Sequence, residues 1–427
     1  MSRLSVFACA LLLASLPVAA ETLPEAMRLV LQQHPEIRAG QAQLNASGER
    51  LLQARSNYFP TLGLDGAASD ARDVDLGIPR DRTTRRADVF LRWNLFRGLA
   101  DRQGQRVAEY DRLSADAGLI DAREQVALQL VRAYLDVLRL RRQLALGEAY
   151  LGEHQRLTEE VRIRVRNGRV SAADLEQVRA TLIQARLQQS QLRAQLRSAE
   201  AFYTLLVGAP PGELSEPALE ISAVSQDLEG LLQQVHAGNP QVRAAMQSAS
   251  ARAEEVGVAA AALMPSFDLE LRKRLVSEID PIPQVDARQS AQILFNYQLP
   301  LGGASFSRKR EAVQRKLAAQ AIADTELLRV RGEIAERWSV WQEARAIAVE
   351  LADRVEASDR VVQAYDLQFA AARRSSNDLI VARADRYRAA SDQLDNRIQL
   401  LSSSAQVLSL LGLLESSVLG EKVAGQP

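Results

Sequence analysis

Two aspartates hold matching places in this chain. Asp174 stands in Ser171-Ala172-Ala173-Asp174-Leu175, and Asp378 in Ser375-Ser376-Asn377-Asp378-Leu379. Each follows a turn signal, Asn167-Gly168 or Arg374-Ser375-Ser376, and opens a run of periodic apolar residues. The plain chemistry for both is a helix-start carboxylate, favoured by the helix macrodipole. Arg169, Arg373 and Arg374 lie beside the same turns and supply cations for pairing. Bond-making chemistry has no comparable foothold. His34, His154 and His236 are far apart and form no HxxxH or HExxH pattern, so we read them as solvated or helix-end residues, not metal ligands. No phosphate-cradling loop or nucleophile elbow is written into the chain. The reading is a non-enzyme with no metal site and no cofactor.

A second polar set recurs at every other position. Asp88, Arg92 and Asn94 alternate with Val89, Leu91, Trp93 and Leu95. Asp268, Glu270 and Arg272 alternate with Phe267, Leu269 and Leu271, and Gln292 and Asn296 with Ala291, Ile293, Phe295 and Tyr297. Leu62 and Leu64 repeat the pattern more weakly. Runs of roughly 10 residues with period two are strands of the length that crosses an outer-membrane-type bilayer when tilted. Their polar positions are candidates to line a water-filled lumen. Phe59, Trp93, Phe96 and Tyr297 gather at one end of the strands, as an interfacial girdle does. The competing reading of these runs is a small soluble sheet with one buried face. The stretches between them, about Asp70 to Arg86 and Leu275 to Arg288, are charged and proline-bearing, and we expect exposed loops there.

The elements that place these residues are written twice, at a spacing of 204 to 205 residues. Pro35-Glu36-Ile37-Arg38 returns as Pro240-Gln241-Val242-Arg243, Phe59-Pro60-Thr61 as Met264-Pro265-Ser266, and Leu206-Val207-Gly208 as Leu410-Leu411-Gly412. The repeated unit is a short helix, a helix, two strands and two very long helices. Residues 21–214 form the first repeat, with strands at about 59–69 and 87–96 and a helical hairpin at about 98–207. Residues 215–427 form the second, with strands at about 265–274 and 289–299 and a hairpin at about 303–414. No proline occurs from Arg80 to Ala209 or from Leu301 to Gln426. From Leu327 to Phe369 the apolar positions advance by threes and fours, the seam of a coiled coil. The third helix of each repeat, from about Leu99 to Arg166 and about Ala304 to Ala372, is on the order of 100 Å long.

Lys plus Arg equals Asp plus Glu at 53 each, so no net field draws the chain to nucleic acid. The first 20 residues read as a secretory signal: Arg3, an apolar run from Leu4 to Leu16, then Val18-Ala19-Ala20 before Glu21. We place the cleavage between Ala20 and Glu21. The single cysteine, Cys9, lies inside the apolar run and not at its end, which speaks against lipid attachment. An exported chain with no later apolar run of about 18 residues is soluble or a β-barrel.

Four strands cannot close a barrel, and an open edge cannot sit in lipid with unpaired N–H and C=O groups. Other copies of the chain must complete it, and three copies give 12 strands. The fold class is therefore mixed, α-helix and membrane β-barrel. The duplicated unit gives four barrel strands and long coiled-coil helical hairpins per chain, closed as a homotrimer.

The order of elements, the duplication and the turns Asn167-Gly168…Asp174 and Arg374-Ser375…Asp378 resemble the TolC family of outer-membrane efflux proteins. The resemblance covers essentially the whole chain after residue 20. It implies a trimer with a 12-stranded barrel in outer-membrane lipid and an α-helical tunnel crossing the periplasm of a Gram-negative bacterium. It also implies partners: a periplasmic adaptor (membrane fusion protein) and an inner-membrane ABC exporter or RND-type pump. Asp174, Asp378, Arg169, Arg373 and Arg374 would then stand at the tunnel entrance. Gln125-Val126-Ala127-Leu128-Gln129…Ala133-Tyr134-Leu135-Asp136-Val137-Leu138 and Asp174-Leu175-Glu176-Gln177 look most like the branch serving type I secretion, which passes unfolded protein. Sibling branches serve drug or metal efflux pumps, and an elongated periplasmic coiled-coil adaptor is a rival of another class. Two departures stand out. Ala372-Arg373-Arg374 lacks the glycine the family often has before its second hairpin turn, and Val381 takes the place of a second entrance carboxylate.

Overall fold

The computed structural model describes residues 22–75, 78–219, 221, 227–279 and 289–420. The signal residues, with Cys9, Ala20 and Glu21, lie outside them. The described elements run α1 (Leu23–Gln33), α2 (Pro35–Ser56), β1 (Thr61–Asp75), β2 (Ile78–Arg97), α3 (Ala100–Arg166), α4 (Ala172–Val207), α5 (Leu228–Gly238), α6 (Pro240–Ala261), β3 (Ser266–Ile279), β4 (Gln289–Asn296), α7 (Ala304–Ala370), α8 (Ser376–Leu410) and α9 (Leu414–Leu419). The chain divides into two compact units. One holds the described residues of Met1–Ile37, Ala122–Gln234 and Gly332–Pro427, the other Arg38–Asp121 and Val235–Arg331.

The second unit contains one antiparallel sheet in the order β1-β2-β3-β4. Pairing decides which side chains share a face, because partners in a ladder project to the same side. Leu62 stands opposite Leu91, Leu91 opposite Leu271, and Leu271 opposite Ala291, one continuous apolar row. Trp93, Leu269 and Ile293 make the next, and Phe96, Phe267 and Phe295 the one after, with ring centroids 6.3 and 5.2 Å apart. Leu62, Leu64, Leu271, Ile293 and Phe295 are exposed, an apolar face that the described residues leave uncovered. The indole Nε1 of Trp93 donates to the Tyr58 carbonyl at 2.9 Å, giving the ring's polar end a fixed partner.

The strands differ from the expected spans. β1 runs to Asp75 and β2 begins at Ile78, so most of the stretch expected to be a loop from Asp70 to Arg86 is a paired ladder reaching Asp75↔Ile78. β3 continues to Ile279, and residues 280–288 lie outside the described set. A ladder satisfies the backbone whatever the side chains are, so it does not stop where the apolar alternation stops. Among the described residues β2 at Pro79 has β1 as its one neighbour, and the β3 pairing starts at Thr84, a setting in which a strand tolerates proline. β4 ends at Asn296 and not near residue 299, four residues before Pro300.

The first unit is built on helical seams. Along α7 every position of the three-four series from Ile334 to Phe369 is shielded from solvent; Ile334, Trp338, Trp341, Ala344, Val362 and Phe369 are buried. In α3 the Gln125–Leu138 segment buries Val126, Leu130, Val131, Tyr134, Leu135 and Val137. The Tyr134 hydroxyl donates to the Ser215 carbonyl at 2.7 Å and accepts from the Ser215 N–H at 2.9 Å. Arg141 reaches Glu200 at 2.8 Å and the Pro211 carbonyl at 3.1 Å, and Arg142 reaches Glu216 at 2.8 Å. These bonds fasten the segment after α4 onto α3. Buried Glu124 accepts the Leu414 and Glu415 N–H groups at 3.1 and 3.3 Å, holding the first turn of α9.

The two hairpin turns have one geometry and different residues. After α3 the Arg169 N–H bonds the Arg164 carbonyl at 2.9 Å and the Gly168 N–H the Val165 carbonyl at 3.0 Å. After α7 the Arg373 and Ala372 N–H groups bond the Gln368 and Phe369 carbonyls at 2.9 and 3.0 Å. The pattern needs a left-handed residue: Gly168 has φ 66°, and Ala372 has φ 57°. A left-handed alanine costs roughly 1–2 kcal/mol, partly offset by the greater freedom of glycine in the unfolded chain. Ala372→Gly should therefore stabilise the second turn by up to about 1 kcal/mol. Slower amide exchange across residues 371–375 is the expected readout, and faster exchange would refute it.

Candidate functional site

Asp174 and Asp378 close reciprocal caps at the two hairpin turns. The Asp174 N–H donates to Ser171 Oγ at 3.2 Å while the Ser171 N–H donates to Asp174 Oδ2 at 3.1 Å. Ser375 and Asp378 repeat both bonds at 3.2 Å each. Bonds from Ser375, side chain first and then backbone, hold the Asp378 carboxyl below its ordinary range, and Arg374 at 3.7 Å adds to them. The helix-start geometry read from the sequence is present at both sites, and the Gln177 amide ties the turns together by donating to Asn377 Oδ1 at 2.8 Å.

The arginines separate. Arg374 lies over the Tyr365 ring at 4.3 Å and donates to Gln368 Oε1 at 3.0 Å. Arg169 lines a cavity of about 220 Å³ with Arg164, Asp174, Phe369, Arg374 and Ser375. Arg373 is exposed. Arg164, which sequence reading passed over, stacks on Phe369 at 3.9 Å. Beneath them Leu157, Val161, Val178, Phe369 and Leu379 form a small core that holds both turns. Val381 is exposed, so this end carries one carboxylate per α8 where a pair would need two.

One helix turn before Leu157 on α3 lies a cluster that local sequence patterns mark only faintly. Glu153 pairs with Arg386 and stands 3.9 Å from Arg383, and Arg383 donates to Asp366 at 2.8 Å and to the Glu153 carbonyl at 3.0 Å. Arg386 is 3.7 Å from Asp359. These charges join α3, α7 and α8. Beside them His154 is fully buried, with its ring edge-on to Tyr150 and neither ring nitrogen hydrogen-bonded. The expectation of a solvated or helix-end histidine fails for His154. His34, at the C-cap of α1, and exposed His236, in the last turn of α5, fit it. The missed signal was spacing: Tyr150, His154, Leu157 and Val161 advance by four, three and four, so His154 takes a seam position. Among the described residues no cluster of three or more His, Cys, Asp or Glu has metal-binding geometry.

Burial, and then the positive charge of Arg383, push the His154 pKa down to about 4. The folded chain thus binds fewer protons there than the unfolded chain, and its stability falls as pH drops from about 6.5 towards 4. The full loss is of order 3 kcal/mol. His154→Phe should remove that part of the acid sensitivity while leaving stability near pH 7 little changed. Parallel acid titrations of the two proteins would contradict it.

The polar residues of the sheet are brought to one face. Arg92 pairs with Glu270, Asn94 with Asp268, Glu270 with Gln292, and Ser266 with Asn296; Asp88 pairs with Arg274 and Phe90 with Arg272. All eight residues picked as lumen candidates therefore project to the same side. Phe90 and Leu294 share that side and break its polarity. Sequence reading missed Phe90, whose ring lies over Gly63; a Cβ there would sit 2.3 Å from the ring.

Among the described residues no helix is long and apolar enough to cross a membrane. The sequence model of the family described as "Outer membrane efflux protein" matches this chain twice, over residues 26–209 and 231–413. The chain is similar to the outer membrane efflux protein BepC of Brucella suis, 24% identical over 412 residues, covering 95% of this chain and 88% of the relative. It is also similar to protein CyaE of Bordetella pertussis, 27% identical over 341 residues, covering 74% and 71%. Among solved structures, outer membrane protein VceC of Vibrio cholerae superposes with a TM-score of 0.79 at 18% identity, over 91% of this chain and 96% of that one. That likeness speaks for the fold alone.

Proposed function

Because the chain belongs to the outer membrane efflux protein family, and so is an outer-membrane channel protein and not an enzyme, we propose that it is the exit duct of a tripartite type I secretion system. In this reading it works as a homotrimer, with 12 strands in the outer membrane and the helical hairpins forming a periplasmic tunnel. A periplasmic adaptor and an inner-membrane ABC exporter feed unfolded polypeptide into it. Support for the trimer is physical. Among the described residues β1 pairs with β2 alone and β4 with β3 alone, so the sheet carries two open edges that lipid cannot satisfy. The Asp174, Asp378, Arg169, Arg373 and Arg374 end of the hairpins is assigned to the tunnel entrance, where three-fold symmetry would repeat each charge.

The observation that carries the cargo class is the resemblance of Gln125–Leu138 and Asp174–Gln177 to the type I branch. A polar passage without a holding pocket suits an extended polypeptide, and it suits small solutes as well. The similarity to BepC, whose name says efflux, favours a second reading: the outer-membrane component of a drug or metal efflux pump. Light scattering of the detergent-solubilised protein should give three copies; a stable monomer in membranes would sink the barrel. Deleting the gene should abolish export of a large secreted or surface protein with drug sensitivity unchanged. Unchanged secretion with sharply raised sensitivity to drugs, metals or detergents would assign the efflux role instead.

A further inference from the structure

The polar face of the sheet has equal parts of acid and base in sequence, but the two signs are not equally accessible. Arg92 donates to Glu270 Oε2 through Nε and Nη2 at 3.1 and 2.7 Å, and Arg272 donates to Glu270 Oε1 through Nε and Nη2 at 3.1 and 3.0 Å. Arg274 Nε and Arg272 Nη1 bond Asp88 at 3.0 and 3.3 Å, with Arg86 3.5 Å away. The guanidinium carbons of Arg92 and Arg272 stand 5.4 and 5.3 Å from the centre of the Phe90 ring. That ring fits because position 63 is glycine. The result is a layered arrangement with carboxylates beneath and guanidiniums above. The side chains of Asp88 and Glu270 are 1% and 7% exposed, whereas that of Arg272 is 24% exposed and those of Arg86 and Arg92 are 52% and 49% exposed. Asp65, 3.3 Å from Arg272, is the exposed acid of this level, and Asp268 lies one row nearer the start of β3.

We propose that the Arg86, Arg92 and Arg272 girdle around Phe90 makes the barrel favour anions over cations, with Arg92 a selectivity-determining residue. The inference rests on the reading of this face as the wall of a channel. A permeating ion feels the charges it can approach, and the low-dielectric wall focuses their field into the lumen. A carboxylate covered by two guanidiniums contributes little to that field; a half-exposed arginine contributes most of its own. Repeated in three copies, the girdle presents a ring of cations although the face is formally neutral. Phe90 keeps the two guanidiniums spread over the carboxylates by cation–π attraction.

The test is the reversal potential of the purified full-length protein in planar bilayers under a potassium chloride gradient. Chloride should be preferred over potassium. The double variant Arg92→Gln/Glu270→Gln leaves the formal charge unchanged, yet should lower the chloride-to-potassium permeability ratio by about two-fold or more, because it removes an accessible cation and a covered anion. Arg86→Gln, which leaves Asp88 paired with Arg272 and Arg274, should shift the ratio the same way. Asp174 and Asp378 are untouched in every protein compared, so they cancel from the difference. Potassium preference in the native protein, or an unchanged ratio in conducting channels of both variants, would overturn the inference. A native protein that forms no conducting pore at all would refute the channel reading itself.

Discussion

A backbone N–H or C=O without a partner in hydrocarbon costs several kcal/mol, and a four-stranded sheet has two edges lined with them. Everything else about this chain follows from where those edges are. Among the described residues β1 and β4 each have one neighbour, so the sheet is complete only as part of a closed ring. The apolar rows from Leu62 to Ala291 and from Trp93 to Ile293 share one face, opposite the polar rows of Arg92 and Glu270. β2 and β3 are adjacent in the sheet though separated in sequence by α3 to α6, which places both repeats in one wall.

The two polar environments of the chain are built on opposite principles. On the sheet, the deeply covered carboxylates of Asp88 and Glu270 are each met by at least two guanidiniums, so burial and charge balance locally. A buried charge is tolerated when it is paired and hydrogen-bonded, and Asp88 and Glu270 satisfy that condition. In the helical seam His154 satisfies it in no respect: it has no hydrogen-bond partner, and the charged group acting on it is a cation. It remains neutral instead, at the cost of sensitivity to acid. Glu153, Arg383 and Arg386 lie beside it without relieving it.

Duplication has preserved geometry more faithfully than residue type. Both hairpin turns use the same pair of carbonyl bonds and the same Ser–Asp cap. The left-handed position is Gly168 in one copy and Ala372 in the other. The reverse holds where strand passes to long helix: Leu99 has φ 69° in the first copy, and Gly303 has φ 74° in the second. Among the described residues each copy thus carries one left-handed residue with a Cβ. The conformation is imposed by the helix ends and strand ends around it, which outweigh a local cost of roughly 1–2 kcal/mol.

The sequence by itself determined the periodic elements. Three-four spacing marked the seams of α4, α7 and α8, period two marked the strands, proline and glycine marked the turns, and the internal repeat ordered them. Such signals are legible because each depends on residues close along the chain. The Ser171–Asp174 and Ser375–Asp378 helix starts were legible for the same reason. Tertiary structure alone decided which strands pair and how far. The continuation of β1 to Asp75 and β2 from Ile78 depends on backbone bonds that leave no mark on side-chain pattern. It also decided that Phe90 shares a face with Arg92 and Arg272, that Asp88 and Glu270 lie beneath guanidiniums, and that His154 sits in a seam beside Arg383. Those arrangements join residues from about 180 to more than two hundred positions apart, and no window of sequence contains both partners.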